Sequence, residues 1–270
     1  MTSWEFPGSD PIDLDISLPA GSIAITAEPT EVTTVSLLPS HSGRGAEEAV
    51  AQVRVEYHAG RLEIFGPKHS GLRRGGFGFD LTVKVPAGSR CAVRTGASDI
   101  ACLGVLTSLA ARTGSGDVTA AVVSGAVHVA TASGDVWLEE AGGEMNANTA
   151  SGDVRLLRAG GDVAVTTASG DVQIGSAQKS VSARTVSGDV RIASVASGRA
   201  ELTTVSGDIA VGVAPGAGVY LDLASLTGSV TSELEPSDES GEVGEADLDV
   251  KCKAISGDVR VTRAVAADAR

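Results

Sequence analysis

The stretch Ala150-Ser151-Gly152-Asp153-Val154-Arg155-Leu156 returns eighteen residues later as Ala168-Ser169-Gly170-Asp171-Val172-Gln173-Ile174. Ser-Gly-Asp followed by Val or Ile occurs seven times in the 270 residues. Counting a degenerate first copy, the first seven aspartates stand at Asp99, Asp117, Asp135, Asp153, Asp171, Asp189 and Asp208, in steps of 18, 18, 18, 18, 18 and 19, and an eighth at Asp258. A period this strict describes one small unit stacked on copies of itself.

Aligned on the aspartate, the next position reads Ile100, Val118, Val136, Val154, Val172, Val190, Ile209 and, in the last copy, Val259. Two further on come Cys102, Ala120, Leu138, Leu156, Ile174, Ile192, Val211 and Val261, with Trp137, Arg155, Gln173 and Arg191 among the residues between. Apolar, variable, apolar is the signature of a strand with one buried face. A second short strand precedes each motif, as in Val127-His128-Val129 and Val163-Ala164-Val165. A coil of about 18 residues with two arms and two corners is too short for a helical crossover. The predicted fold is all-β: a single-stranded parallel β-helix, or β-solenoid, one rung per coil at about 4.8 Å. Parallel crossovers favour a right-handed winding.

The ends depart from the rhythm. Ala20-Gly21-Ser22-Ile23-Ala24-Ile25 looks like an early copy of corner and strand, and Val53–Tyr57 with Arg61–Phe65 reads as a hairpin around Ala59-Gly60. Residues 1–90 are expected to form an irregular N-terminal β cap continuous with the solenoid, and 91–263 the repeats. An acidic insertion at 232–247 interrupts the repeats before a loose tail at 264–270. Thr227-Gly228-Ser229-Val230 is a degenerate copy in which serine replaces the aspartate.

Only 3% of residues are aromatic, so the core must be aliphatic and thin. The net charge of −13 argues against nucleic acid or anionic membranes as partners. No window is long and apolar enough to span a bilayer, which excludes membrane insertion by a helix. Residues 1–10 carry neither a basic n-region nor an apolar h-region, and the three scattered cysteines suggest reduced thiols. The expected location is cytoplasmic, with the cell surface as the alternative.

Candidate chemistry is sparse. Stacked carboxylates at 4.8 Å repel by about 1 kcal/mol per pair in water, so something must offset them. One answer makes Asp117, Asp135, Asp153, Asp171 and Asp189 cation ligands, as in nonapeptide solenoids. The alternating glycines of those solenoids are missing. The simpler answer is that each aspartate caps its own corner by accepting a backbone N–H. A threonine column (Thr113, Thr131, Thr149, Thr167, Thr185, Thr204) shares register with inward valines, so its hydroxyls belong at the inner edge of a corner rather than on an ice-binding face. The four histidines lie far apart, and no catalytic residue or cofactor is predicted. Partner docking is expected at a basic loop holding Lys68, Arg73 and Arg74, and at an acidic one holding Glu233, Glu235, Asp238 and Glu239.

The Ser-Gly-Asp-Val coils, the Ala59-Gly60-Arg61-Leu62 hairpin and the Val85-Pro86-Ala87-Gly88 entry resemble the bacterial putative-adhesin family of unknown function, related to auto-transporter adhesin head domains. The resemblance covers about Ile12 to Val261. It implies a β-helical, non-enzymatic protein with no catalytic residues to carry over. The functional expectation is a rigid scaffold that presents faces and loops to a protein partner or to itself. An exported adhesin or ligand-binding module is the alternative, and a carbohydrate-active β-helix enzyme a more distant one.

Overall fold

A computed structural model describes residues 2–41, 45–67, 78–234 and 247–264. The protein is an all-β parallel β-helix, divided into two compact units, Met1–Glu139 and Glu140–Arg270. Among the described residues no helix is long and apolar enough to cross a membrane.

The first unit contains β1 (Thr2–Pro7), β2 (Asp13–Glu28), β3 (Val32–Pro39), α1 (Ala46–Ala51), β4 (Arg54–His58), β5 (Arg61–Phe65), β6 (Phe79–Pro86) and β7 (Arg90–Leu106). It continues with β8 (Ser108–Thr113), β9 (Val118–Val123), β10 (Val127–Thr131) and β11 (Val136–Ala141). Parallel winding begins at β2, inside the segment that the sequence marks as a cap. One side of β2 pairs in parallel with β5 and β6, and the other side with β7. Its inward residues Leu14, Ile16, Leu18, Ile23, Ile25 and Ala27 are buried, and the residues between them face out. The expected early motif copy is in register, Ser22 opposite Asp99 and Ile23 opposite Ile100. At that corner Gly21 has φ 123°, and a Cβ there would sit 2.0 Å from the Phe79 carbonyl oxygen, so backbone alone fits.

The outermost rung of this unit, β5 with β6, is covered. Antiparallel β4 pairs with β5 through the predicted hairpin, whose Ala59 and Gly60 both have positive φ. Antiparallel β3 pairs with β6, and β1 with β3. The short helix α1 adds buried Ala46, Ala49 and Val50. Phe6 and Tyr57 stack with centroids 5.0 Å apart, tying β1 to β4.

The second unit contains β12 (Met145–Thr149), β13 (Val154–Ala159), β14 (Val163–Thr166), β15 (Val172–Ala177), β16 (Val181–Arg184) and β17 (Val190–Val195). Then follow β18 (Gly198–Ser206), β19 (Ile209–Val213), β20 (Val219–Ser225), β21 (Val230–Ser232), β22 (Leu248–Ser256) and β23 (Val259–Arg263). The motif columns stack as the spacing predicts: Val154 opposes Val172, Val172 opposes Val190, and Val190 opposes Ile209. The inward residues Leu156, Ile174, Ile192 and Val211 are at most 2% exposed. Burial of each such side chain stabilises the stack by about 1.5–3 kcal/mol.

The last two rungs are out of sequence order. The rung β22/β23 lies between β18/β19 and β20/β21, pairing in parallel with both. The chain runs to the outermost rung first and then returns to fill the gap. The aspartate column explains the choice. Asp208 and Asp258 each offer a carboxylate to the rung beyond, whereas Ser229 offers none and so suits the end position.

Candidate functional site

Within each unit the motif carboxylates accept the backbone N–H one rung on, rather than capping their own corners. In the first unit Asp99 Oδ1 accepts from Asp117 N at 3.1 Å, and Asp117 Oδ1 from Asp135 N at 2.9 Å. In the second unit the same bond runs from Asp171 N to Asp153, Asp189 N to Asp171, Asp208 N to Asp189, Asp258 N to Asp208 and Ser229 N to Asp258, all at 2.8–2.9 Å. The repulsion between stacked carboxylates is thus offset by charge-assisted hydrogen bonds. The N–H of Ser229 holds the Asp258 carboxyl below the usual carboxylate range. Arg155 and Arg191 in the outward column also pair with the ladder, through Asp153 and Asp189. Among the described residues no cluster of three or more potential metal ligands forms around these aspartates.

The threonine hydroxyls face inward, as their register predicts. Thr185 donates to Gly170 O at 3.4 Å and Thr204 to Gly188 O at 3.2 Å. The serines two places on meet through parallel backbone bridges, Ser151 with Ser169, Ser169 with Ser187, and Ser187 with Ser206.

Of the predicted docking residues, Lys68, Arg73, Arg74, Glu235, Asp238 and Glu239 lie outside the described residues. Glu233 is exposed just past β21, its N–H donating to Val261 O. A shallow cleft of about 290 Å³ runs along the second corner of this unit, lined by Glu144, Asp162, Ser180, Arg199 and Glu201. Most of its polar groups are already committed. Asp162 accepts from Ser180 N, Arg199 pairs with Asp249, and Glu201 with Arg184.

A different surface has no such internal use. Three places before the aspartate the column reads Ala150 and Ala168, then Val186, Val205, Ile255 and Leu226 in rung order. Val205 and Ile255 are held side by side by the pairs Thr204–Ala254 and Ser206–Ser256. Leu226 is placed beside Ile255 by Leu226 N→Ala254 O and Thr227 N→Ile255 O. The four are 52%, 38%, 50% and 77% exposed, so an aliphatic ridge climbs toward the outermost rung. There it meets a strand edge. Among the described residues β20 and β21 pair only with β22 and β23, leaving their far edge without a backbone partner. Val219, Leu221 and Leu223 of β20 are only half-buried, and Tyr220 and Val230 are exposed. The single charge on that strand, Asp222, pairs with Lys251 of the rung below.

No curated protein matches the chain. It is similar to a solved putative adhesin from Bacteroides fragilis NCTC 9343, with 13% identity, 96% of each chain covered and a TM-score of 0.46. A putative lipid binding protein from Parabacteroides distasonis ATCC 8503 shares 12% identity over 96% of each chain, with a TM-score of 0.45. A putative cell adhesion protein from Clostridium sporogenes ATCC 15579 shares 13% identity over 97% of this chain and 99% of that one, with a TM-score of 0.28. Likenesses this distant carry no argument about what the chain binds. The family model Toastrack DUF4097 matches residues 12–262, nearly the full length. The chain belongs to the Toastrack DUF4097 family.

Proposed function

We propose that the chain is a non-enzymatic interaction protein whose binding surface is the aliphatic ridge together with the open edge of β20 and β21, and whose occupant is a second copy of the same end. The observation that carries this reading is the coincidence of the two features on one rung. A strand edge with free N–H and C=O groups templates another strand. Exposed Leu226, Ile255 and Tyr220 beside it supply apolar area for the contact.

Two facts favour a like-with-like pair over indefinite rung addition. Parallel addition needs a matching bare rung, and β5 and β6 already carry antiparallel partners. The next rung would also find Ser229 where Asp258 finds Asp208 and Ser229 finds Asp258. A two-fold pairing of identical edges needs neither, since antiparallel strands meet by self-complementarity.

Sedimentation velocity across a wide concentration range tests this. The expected result is a monomer–dimer equilibrium that Leu226→Asp and Ile255→Asp each weaken about 100-fold, because a charge is forced into an apolar contact. A particle that stays monomeric throughout overturns the reading, as does a dimer indifferent to both substitutions. Polymers that lengthen with concentration overturn the two-fold form in favour of rung addition. A monomer that instead captures an extended peptide at this edge assigns the surface to another protein.

A further inference from the structure

Cys91 and Cys102 are the only cysteines among the first 139 residues, and they occupy partnered positions of one coil. Cys91 points inward from the first arm of β7, between Leu14 and Leu109 of the neighbouring rungs. Cys102 points inward from the second arm, between Ile25 and Ala120. The two halves of β7 belong to different arms of the coil, pairing with β8 and with β9, so both thiols enter the same thin core, where Cys102 lies close enough to raise the Cys91 thiol. Both side chains are buried, at 3% and 2% exposure. The equivalent positions in adjacent coils hold the aliphatic pairs Leu109/Ala120 and Val127/Leu138. Only this coil places sulfur at both. The scattered spacing of the three cysteines hides the pair in the sequence, because nothing but the coil geometry brings positions eleven apart together.

We propose that Cys91 and Cys102 form a disulfide across the core, a redox modification site that staples the two arms of the first Ser-Gly-Asp coil. The oxidant is a small-molecule or protein disulfide. The thiolate of one cysteine attacks a sulfur of that disulfide, forming a mixed disulfide and releasing one thiol. The second cysteine's thiolate then attacks the protein sulfur of the mixed disulfide, closing Cys91–Cys102 and releasing the second thiol. Two protein thiols are oxidised, one oxidant disulfide is reduced to two thiols, and the two protons leave on those thiols. In the finished fold this chemistry is slow. The neighbouring Cys102 thiol, burial and the nearness of Asp15 all push the Cys91 thiol well above its ordinary value. Neither sulfur meets solvent. The staple therefore closes before β8 and β9 cover β7, and an oxidising environment during folding decides whether it exists.

The full chain, unfolded and reduced, is refolded with a mixture of reduced and oxidised glutathione, unfolded again, alkylated and digested with trypsin. Cleavage after Arg90, Arg94 and Arg112 puts Cys91 in peptide 91–94 and Cys102 in peptide 95–112. The expected product is those two peptides joined, with Cys252 alkylated. The refolded protein should keep its β-sheet circular dichroism and melt roughly 5 °C above the reduced form. Three alkylated cysteines after oxidative refolding overturn the proposal. So does a linkage that involves Cys252, or a joined product that has lost the sheet spectrum.

Discussion

The outermost rung of the first unit and that of the second are reached by the same route and finished in opposite ways. Read inward from either terminus, the first rung made lies second in space: β2 sits between β5/β6 and β7, and β22/β23 between β20/β21 and β18/β19. The strands placed second have backbone partners on both sides. The finishing differs. On β5 and β6 the edge is taken up by antiparallel β4 and β3, and the strands beyond carry protective residues: Arg54, Glu56 and His58 on β4, and Pro7 at the end of β1. On β20 the same position shows Val219, Tyr220, Leu221 and Leu223 with one charge, already paired. Among the described residues one end is covered and charged, and the other keeps an uncovered, largely apolar edge.

The sharpest way to break the shared part of the design is to fill its glycine corners. Gly21 (φ 123°) and Gly257 (φ 140°) each lie where a Cβ would sit 2.0 Å from a carbonyl oxygen of the adjacent rung, that of Phe79 and that of Gly207. Gly21→Ala and Gly257→Ala should each cost about 3 kcal/mol or more, since rung backbones must separate to admit the methyl. Gly60→Ala in the hairpin turn, with nothing within 4 Å of its would-be Cβ, should cost only about 1 kcal/mol, for its positive φ alone. Urea denaturation of the three variants measures this. A mild Gly21→Ala beside a severe Gly257→Ala would mean that the antiparallel cover, not close rung packing, holds the first end.

The repeat was readable because each column asks one thing of its residue. Val154, Val172, Val190 and Ile209 must be apolar to pack and aspartate must precede them to bond, so period and register follow from spacing alone. The destination of the carboxylate was not readable. A corner Asp that accepts its own turn's N–H and one that accepts the next rung's carry the same letters, and only the bond across 18 residues separates them. Rung order was lost for a related reason: once the spacing lengthens between Ser229 and Asp258, periodicity is silent about which copy lies outside. The missing aspartate at Ser229 was the available signal. The ridge had a signal too, in the change from Ala150 and Ala168 to Val186, Val205, Ile255 and Leu226. That signal is weak because a corner position between Thr and Ser carries no strand periodicity, whereas the charged loops stand out by composition.

Acid should loosen the two ends unequally. The N–H of Ser229 lowers the Asp258 carboxyl from its ordinary 3.8. A group depressed on folding stabilises the fold above its unfolded value, and that contribution is lost as pH falls through the folded one. Below pH 3.8, then, β21 should detach from β23 before β5 leaves β2, because β5 is held to β2 by backbone pairing and the Arg61–Asp15 ion pair rather than by a carboxylate bonded to a corner N–H. Amide hydrogen exchange at low pH, corrected for intrinsic rates, should show 229–232 losing protection ahead of 61–65. Asp258→Ala should produce the same loosening at neutral pH, with a smaller loss of global stability than either severe glycine substitution. Equal protection at both ends down to acid pH would mean that packing of Val230, not the ladder, retains the outer rung.

The smallest expected effect concerns the ion pairs that cross the rungs at each end. In the first unit Asp13 faces Arg90, and Asp15 faces both Arg61 and Arg94, joining β2 to β5 and β7. In the second, Lys251 joins Asp222 and Arg199 joins Asp249. The hydrogen bond from Arg90 lowers the Asp13 carboxyl, so the pair does interact, yet its side chains are 65% and 48% exposed and water screens most of the attraction. Arg90→Ala and Lys251→Ala should therefore each lower stability only slightly, and less at 1 M salt, where screening acts within about 3 Å. If Arg90→Ala were to cost several times more than Lys251→Ala, the arginine's aliphatic stem would be contributing packing at the covered end that Lys251 does not provide at the open one. That outcome would move the difference between the two ends from their edges to the rungs beneath them.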